Sequence, residues 1–410
     1  MDSSASGLRI LWVKVGGLLP PDTGGKIRSL QTLKQLARSN QVTLVTFYKE
    51  IPDDPHPSLA SIFHKVVCIP QKTANGGLGQ IVNYLQLLFS RHAYSMQKWY
   101  TRGLRERIEE TIAEGSFDCI VCDFLYPAGV VPWQGPEPRV LFTHNVEAEI
   151  WRRQYQLEKN PLRKLAYWRE YRTLVRDEDR YVRLAAHVLT VSDRDRDEFA
   201  KVIDASKITA VPTGVDVDYF APSEQEPESG NMVFTGSMDW APNEDCVQYF
   251  ARDIWPLVRT QAPESAFWAV GRRPSETLRA LHDGRSIHIT GTVDDIRPYL
   301  QRAQVYLVPM RSGSGTRLKI FEAMAAGKAV VSTTIGAEGL PVTHGENILL
   351  ADTPQEFAAA AVRVMNDAGL RKTLGRNARR LVEEKYSWAA AGRFFEEILW
   401  NVVLQSRHKR

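Results

Sequence analysis

Cysteine is scarce in this chain of 410 residues; its 4 are Cys68, Cys119, Cys122 and Cys246. That excludes a disulfide-stapled secreted module. No run approaches the about 20 consecutive apolar residues that a membrane span needs. Neither sign of charge dominates, because Lys+Arg 52 against Asp+Glu 48 leave a net +4. A dedicated nucleic-acid binder carries a far larger basic excess, so no nucleic-acid partner is expected. Neither G-x-G-x-x-G nor a Walker-type loop is present, which leaves a Rossmann dehydrogenase or a P-loop NTPase unsupported. The opening stretch from Met1 to Gly7 lacks the charged-then-apolar order of a signal peptide, and the chain reads as soluble and cytoplasmic. No repeat and no low-complexity tract occurs.

Cys119 and Cys122 form a C-x-x-C, a spacing that can mean a redox pair or half a zinc site. They lie in the β-rich run Phe117-Asp118-Cys119-Ile120-Val121-Cys122. On a strand, residues three apart point to opposite faces, and no second Cys or His pair lies nearby. Buried structural cysteines are the better reading.

Hydrophobic residues at 43% and charged residues at 24% describe an ordinary globular chain. At roughly 100–200 residues per domain, the length suggests two or three domains. Short apolar runs alternate with amphipathic ones. Leu8 to Val15, Val42 to Phe47, Val66 to Ile69, Ile120 to Cys122 and Val140 to Thr143 read as buried strands. Between the first two, Ile27, Leu30, Leu33 and Leu36 recur at helical spacing. Such alternation predicts βαβ units around a parallel sheet. The pattern pauses in the acidic, proline-bearing stretch Phe220 to Gly230, which reads as a surface linker. A second series begins at Met232 to Gly236 and continues at Ala266 to Gly271, Ile287 to Gly291, Val305 to Pro309 and Ala329 to Thr333. In doubly wound sheets, ligands bind at the carboxyl ends of the strands.

Three segments carry candidate chemistry. Between the first strand and first helix, Gly24-Gly25 would let backbone N–H groups approach a phosphate or sugar at a helix N-terminus. Past the strand Val140 to Thr143 stands His144, where an imidazole or carbonyl can meet a ligand. The strongest signal runs from Arg311-Ser312-Gly313-Ser314-Gly315-Thr316 into a helix bearing Arg317, Lys319 and Glu322 and stopping at Gly327. Loop amides, the helix dipole and two cations together suit a diphosphate. Glu322 lies about a turn and a half into the helix, where a carboxylate can accept from ribose hydroxyls. Asp294-Asp295 is an adjacent carboxylate pair that reads as a helix cap. Trp151 to Arg183 is a helical stretch with basic excess and interleaved aromatics. A solvated basic face is its preferred reading, with contact to anionic lipid or nucleic acid as the alternative.

The segment Lys319 to Val331, with Glu-Ala-Met-Ala-Ala-Gly-Lys-Ala-Val-Val, closely resembles the retaining nucleotide-sugar glycosyltransferases of family 4, which have the GT-B fold. Val211 to Phe220 looks like the interdomain segment of that family, and Gly336 to Gly339 and His344 to Asn347 look like its later loops. The resemblance implies two doubly wound Rossmann-like domains facing across a cleft. It divides the chain into an acceptor-side domain (1–212), a linker (213–230), a nucleotide-sugar domain (231–385) and a terminal helix (386–410). Trp388, Phe394, Phe395, Ile398 and Leu399 are expected to return onto the first domain.

The implied reaction moves a sugar from a nucleotide diphosphate sugar to an acceptor with retention, in polysaccharide or glycoconjugate biosynthesis. His144, Arg317 and Lys319 are the catalytic candidates. Gly24, Gly25, Ser237, Ser314, Gly315, Thr316 and Glu322 are the donor-binding ones. Many members carry a second glutamate, and here Ser314 stands in its place. Many also have an Arg and a Lys after the first strand of the second domain, but Gly236 to Asn243 has neither. The phosphate-binding charge is therefore expected at Arg317 and Lys319. No metal or further cofactor is required, since no Asp-x-Asp cluster ends a strand. The acceptor is a glycan, a lipid-linked species or a small molecule. At most a weak, salt-sensitive, peripheral membrane contact is expected. The rival readings are another GT-B enzyme, such as an epimerase or phosphorylase, and a non-catalytic nucleotide-sugar binder.

Overall fold

A computed structural model describes residues 7–21, 23–48, 56–70, 90–100, 102–311 and 318–408. The chain forms two compact units, Met1–Pro212 with Ala391–Arg410, and Thr213–Ala390.

The first unit holds a seven-stranded sheet in the order β3-β2-β1-β4-β5-β6-β7. Its strands are β1 (Arg9–Val15), β2 (Gln41–Tyr48), β3 (Lys65–Pro70), β4 (Cys119–Asp123), β5 (Arg139–Phe142), β6 (His187–Thr190) and β7 (Ile208–Ala210). All pairings are parallel. The period of two divides β1 between two cores. Ile10 and Trp12 pack with Leu30, Leu33 and Phe395 on one face, while Leu11, Val13 and Val15 pack with Leu104, Ile108 and Leu174 on the other. Cys119 and Cys122 fall on these opposite faces, both buried and unbridged. Burial pushes the Cys119 thiol up to about 12 and raises that of Cys122 as well.

The second unit holds a six-stranded sheet in the order β10-β9-β8-β11-β12-β13. Its strands are β8 (Asn231–Thr235), β9 (Ala266–Val270), β10 (Ile287–Ile289), β11 (Val305–Val308), β12 (Ala329–Ser332) and β13 (Leu349–Leu350), again all parallel. Helix Leu318–Ala325 follows β11. It ends where Gly327 takes φ 67°, with the Gly327 amide donating to Met324 O and the Lys328 amide to Ala323 O. This left-handed stop is one that glycine alone adopts cheaply.

Two boundaries differ from the sequence expectation. The start of the expected linker 213–230 is built into the second unit. The Val215 amide donates to Tyr386 O at 2.7 Å, Val215 and Phe220 are buried, and Arg379 Nη1 donates to the carbonyls of Val217 and Phe220. At the other end the first unit resumes at 391 rather than 386. Tyr386 stacks on Phe321 at 4.4 Å, and the Trp388 ring crowds Gly214. Phe395, Ile398 and Leu399 enter the core of the first unit as expected, but Phe394 is exposed.

Helices Glu147–Leu157 and Pro161–Leu184 carry the basic stretch. The inward stripe of the longer helix is acidic, not basic. Glu170 accepts from the amides of Tyr94 and Ser95, Asp177 from the Ala93 amide, and Glu178 from the amides of Glu147 and Ala148. Buried carboxylates are thereby spent on helix starts that would otherwise leave main-chain donors unpaired. Arg163, Arg172, Arg176, Arg180 and Arg183 are exposed, whereas Arg169 turns back to donate from Nη2 to the Ser90 carbonyl at 2.9 Å.

Candidate active site

In the second unit, the turns after β8 and β9 approach closely. A Cβ on Gly271 would lie 1.7 Å from the Gly236 carbonyl oxygen. The Gly236 amide donates to Val270 O at 3.0 Å, and the Met238 amide to Arg272 O at 2.9 Å. Lys319, at the start of its helix, extends to the end of β8. Its Nζ lies 2.5 Å from Asn243 Oδ1 and 4.2 Å from the centroid of the Phe234 ring. Asn243 Nδ2 in turn donates to Ser237 O at 2.8 Å, which fixes the amide orientation so that its oxygen meets the lysine. Glu322 follows one helical turn after Lys319. Burial pushes its carboxyl up to about 6, with the Lys319 charge opposing that shift. It accepts no hydrogen bond among the described residues.

Ser237 Oγ accepts from Arg272 Nε at 3.0 Å, and Arg273 Nη1 reaches Asp239 Oδ2 at 3.2 Å. The strand-end turn that carries no cation of its own thus receives two from the turn after β9. Arg311 is tied back by Asp245, through Nε at 3.2 Å and Nη2 at 2.5 Å. Ser314, Gly315, Thr316 and Arg317 lie outside the described residues. The Asp295 carboxylate accepts from the Arg297 amide at the start of helix Arg297–Arg302.

In the first unit, Gly24 and Gly25 open the helix Gly24–Leu36, capped by Thr23 through the Lys26 amide. First-turn amides have no intrahelical acceptor. No atom lies within 4 Å of a Cβ built on Gly24, whereas one on Gly25 would meet the Phe124 ring at 2.6 Å.

The His144 imidazole is not turned to solvent. It is buried, and its Nε2 lies 2.8 Å from Asp123 Oδ1 and its Nδ1 3.3 Å from Arg28 Nη1. An ionised Asp123 makes Nε2 the protonated nitrogen and leaves Nδ1 to accept from Arg28. Asp123 Oδ2 also accepts from Trp12 Nε1 at 2.9 Å and meets Lys14 Nζ at 3.4 Å. Strand register explains the convergence. Lys14 pairs directly with Asp123 across β1 and β4, and Asp123 pairs with Phe142, two residues before His144.

Burial would raise the Asp123 carboxyl, but Lys14 and His144 outweigh it and hold it below the usual carboxylate range. Burial lowers His144 to about 4, and its two cationic neighbours add to that effect while Asp123 opposes it. Burial likewise lowers Arg28 to about 10 and lowers Lys14, in both cases against Asp123. The His144 ring stacks on Phe124 at 3.7 Å, and Lys14 Nζ lies 4.3 Å from the centroid of the same Phe124 ring. Phe124 has φ 75°, a strained left-handed conformation for a non-glycine residue.

Sequence reasoning named His144, Lys319, Glu322 and Ser237 but not Asp123, Lys14, Arg28, Asn243 and Arg272, which the structure places beside them. Lys14 inside an apolar strand and Asp123 ending another were the available signals, since a buried charge needs a partner.

Two parallel doubly wound domains, with cations and helix starts gathered at the carboxyl ends of their strands, define the GT-B class. The profile of Glycosyltransferase Family 4 matches residues 23–219, and that of Glycosyl transferases group 1 matches 229–367. The chain belongs to the family 4 glycosyltransferases. An uncharacterised 44.6 kDa protein in the cps region of Klebsiella pneumoniae is 21% identical over 92% of this chain and 96% of its own length. A phosphatidyl-myo-inositol mannosyltransferase of Mycobacterium tuberculosis is 31% identical over 38% of this chain and 43% of its own. Among solved structures, HepE of Anabaena in complex with UDP and glucose superposes with TM-score 0.61 at 16% identity, covering 96% of this chain and 100% of that one.

Proposed function

We propose that the protein transfers a sugar from a nucleoside diphosphate sugar to an acceptor hydroxyl with retention of anomeric configuration. One observation carries this reading. Lys319 stands at the end of β8 with Glu322 one turn behind it, half-buried and accepting no hydrogen bond among the described residues. A carboxylate in that setting suits the two hydroxyls of a ribose, and the lysine suits the diphosphate. The binding of UDP by HepE supports a nucleotide of this kind. The name of the mycobacterial mannosyltransferase supports a hexose donor and a glycoconjugate product.

In the reaction the bond from C1 to the diphosphate oxygen breaks, and a bond from C1 to the acceptor oxygen forms on the same face. The acceptor proton passes to an oxygen of the departing phosphate. Charge accumulates on the leaving diphosphate, so donors fixed in advance around it are the main catalytic device. Lys319 and Arg317, with the amides of Gly315 and Thr316, take that role, and Ser237 and Ser314 line the donor. The Gly24 and Gly25 amides add helix N-terminal donors, and His144 serves the donor sugar near C1. Its side-chain nitrogens are engaged by Asp123 and Arg28 and its ring lies against Phe124 and Phe142, so that contact falls to the main chain. No step is assigned to a metal.

The test is nucleotide-sugar hydrolysis without acceptor, with the anomer of the freshly released sugar read by NMR. Slow release with the donor's configuration is expected, and Lys319→Ala abolishes it. Release of the opposite anomer would remove retention. No release from any UDP, GDP, ADP or dTDP sugar would favour a non-catalytic binder.

A further inference from the structure

We propose that Arg272 is a further catalytic residue, a cation brought from the turn after β9 to hold the diphosphate beside Lys319. The inference rests on the donor reading and adds a residue which that reading leaves out. The turn after β8, Gly236 to Asn243, contains neither Lys nor Arg. It is fastened by main chain to the turn after β9, through the Gly236 amide to Val270 O and the Met238 amide to Arg272 O. The Arg272 side chain therefore starts from a fixed backbone. Its neighbour Arg273 takes φ 52°, in the left-handed region that a non-glycine residue seldom adopts, and such strain gathers at functional sites.

Charge pairing separates Arg272 from the other arginines beyond these strand ends. Arg273 is neutralised by Asp239 at 3.2 Å, Arg297 by Asp295 at 2.6 Å and Arg311 by Asp245. Arg272 is exposed and meets no carboxylate among the described residues. Its side chain makes one contact among them, from Nε to Ser237 Oγ at 3.0 Å. That bond orients the guanidinium plane and leaves both Nη groups, which can take two phosphate oxygens at once.

Ser237 is where the two cations converge. Its hydroxyl takes Arg272, and its carbonyl takes Asn243 Nδ2, whose amide oxygen holds Lys319 Nζ. Cations on both sides of one residue suit a pair of linked phosphates. Arginine adds the planar fork that lysine lacks. As the bond from C1 to the diphosphate oxygen breaks, its electron pair stays on that oxygen. Arg272 stabilises the charge through hydrogen bonds and keeps its own protons, while the acceptor proton passes to the departing phosphate. Donors fixed in advance are the ones that count in such a step.

Titration calorimetry of the full chain with UDP, GDP, ADP and dTDP tests this, together with acceptor-free hydrolysis of the matching nucleotide sugar. Arg272→Ala should weaken the diphosphate that binds by at least about tenfold. It should lower kcat for hydrolysis by about 100-fold, and by more than it raises KM. Losses should follow charge, smallest in Arg272→Lys, larger in Arg272→Ala and largest in Arg272→Glu. The position is exposed, and an unchanged melting temperature checks that the variants fold. The proposal is overturned if Arg272→Ala binds the diphosphate within about threefold of wild type, or if Arg272→Lys loses as much as Arg272→Glu. Weaker binding in Lys319→Ala but not in Arg272→Ala would refute Arg272 and keep the donor reading. Binding of none of the four by wild type would refute both.

Discussion

Replacing Asp123 by Asn should destabilise the first unit by about 3–5 kcal/mol, the usual cost of removing one partner from a buried ion pair. The carboxylate is fully buried and meets three donors at once, from Trp12, His144 and Lys14. Asn keeps the shape but offers one oxygen, so its NH2 group must oppose at least one of those donors. The Lys14 side chain is 3% exposed and would be left without its counter-charge. Loss of its proton relieves part of this cost, which favours the lower end of the range. Native-state hydrogen exchange across β1 and β4 is the assay, because it reads opening of this sheet separately from the second unit. A loss of about 3 kcal/mol accelerates exchange by globally opening amides about 100-fold, at 1.4 kcal/mol per factor of ten. Adding Lys14→Met should restore much of the loss, since the unpaired charge is then gone. Exchange within about fivefold of wild type in Asp123→Asn, or no recovery in the double variant, would refute the reasoning.

The same network sets an acid limit. His144 has a folded value of about 4 against an ordinary 6.5, so the unfolded chain binds the proton first. Stability should fall as pH drops from about 6.5 through 4, by up to about 3 kcal/mol. His144→Gln should flatten that slope in acid unfolding curves. Glu178 acts in the opposite direction, since burial raises its carboxyl to about 8 and the native state holds its proton longer. Stability should therefore decline as pH rises from about 4.5 to 8, and Glu178→Gln should reduce the decline. Lys319→Ala should lower kcat by more than it raises KM, because the developing charge is greatest in the transition state. A raised KM alone would make Lys319 a ground-state anchor. Gly271→Ala should weaken nucleotide binding and lower the melting temperature, because its Cβ must displace the Gly236 carbonyl.

What could be read in the sequence was local. The buried runs of β1, β2, β4, β5 and β8 declared themselves through unbroken apolar character. The helix of Lys319 and Glu322 did so through a Gly/Ser loop before it and Gly327 after it. Short edge strands did not. β7 (Ile208–Ala210) and β13 (Leu349–Leu350) have too few residues to show a period. The His144 network was invisible for a different reason. Asp123 and Lys14 are 109 positions apart and meet only because β1 and β4 pair in register. On helix Pro161–Leu184 charge counting showed the basic excess but not its arrangement, in which Glu170, Asp177 and Glu178 turn inward while Arg172, Arg176, Arg180 and Arg183 are exposed.

The central claim is that the second unit binds a nucleoside diphosphate through Glu322 and Lys319. Titration calorimetry with UDP, GDP, ADP and dTDP, repeated on Glu322→Ala, tests it most directly. One nucleotide should bind the wild type clearly more tightly than the others. Its affinity should fall as pH drops through about 6, where Glu322 takes up its proton. Glu322→Ala should weaken binding by about tenfold or more, as expected for a charge-assisted hydrogen bond of about 1.5–3 kcal/mol. Binding of none of the four, or equal affinity in wild type and Glu322→Ala, would contradict the account.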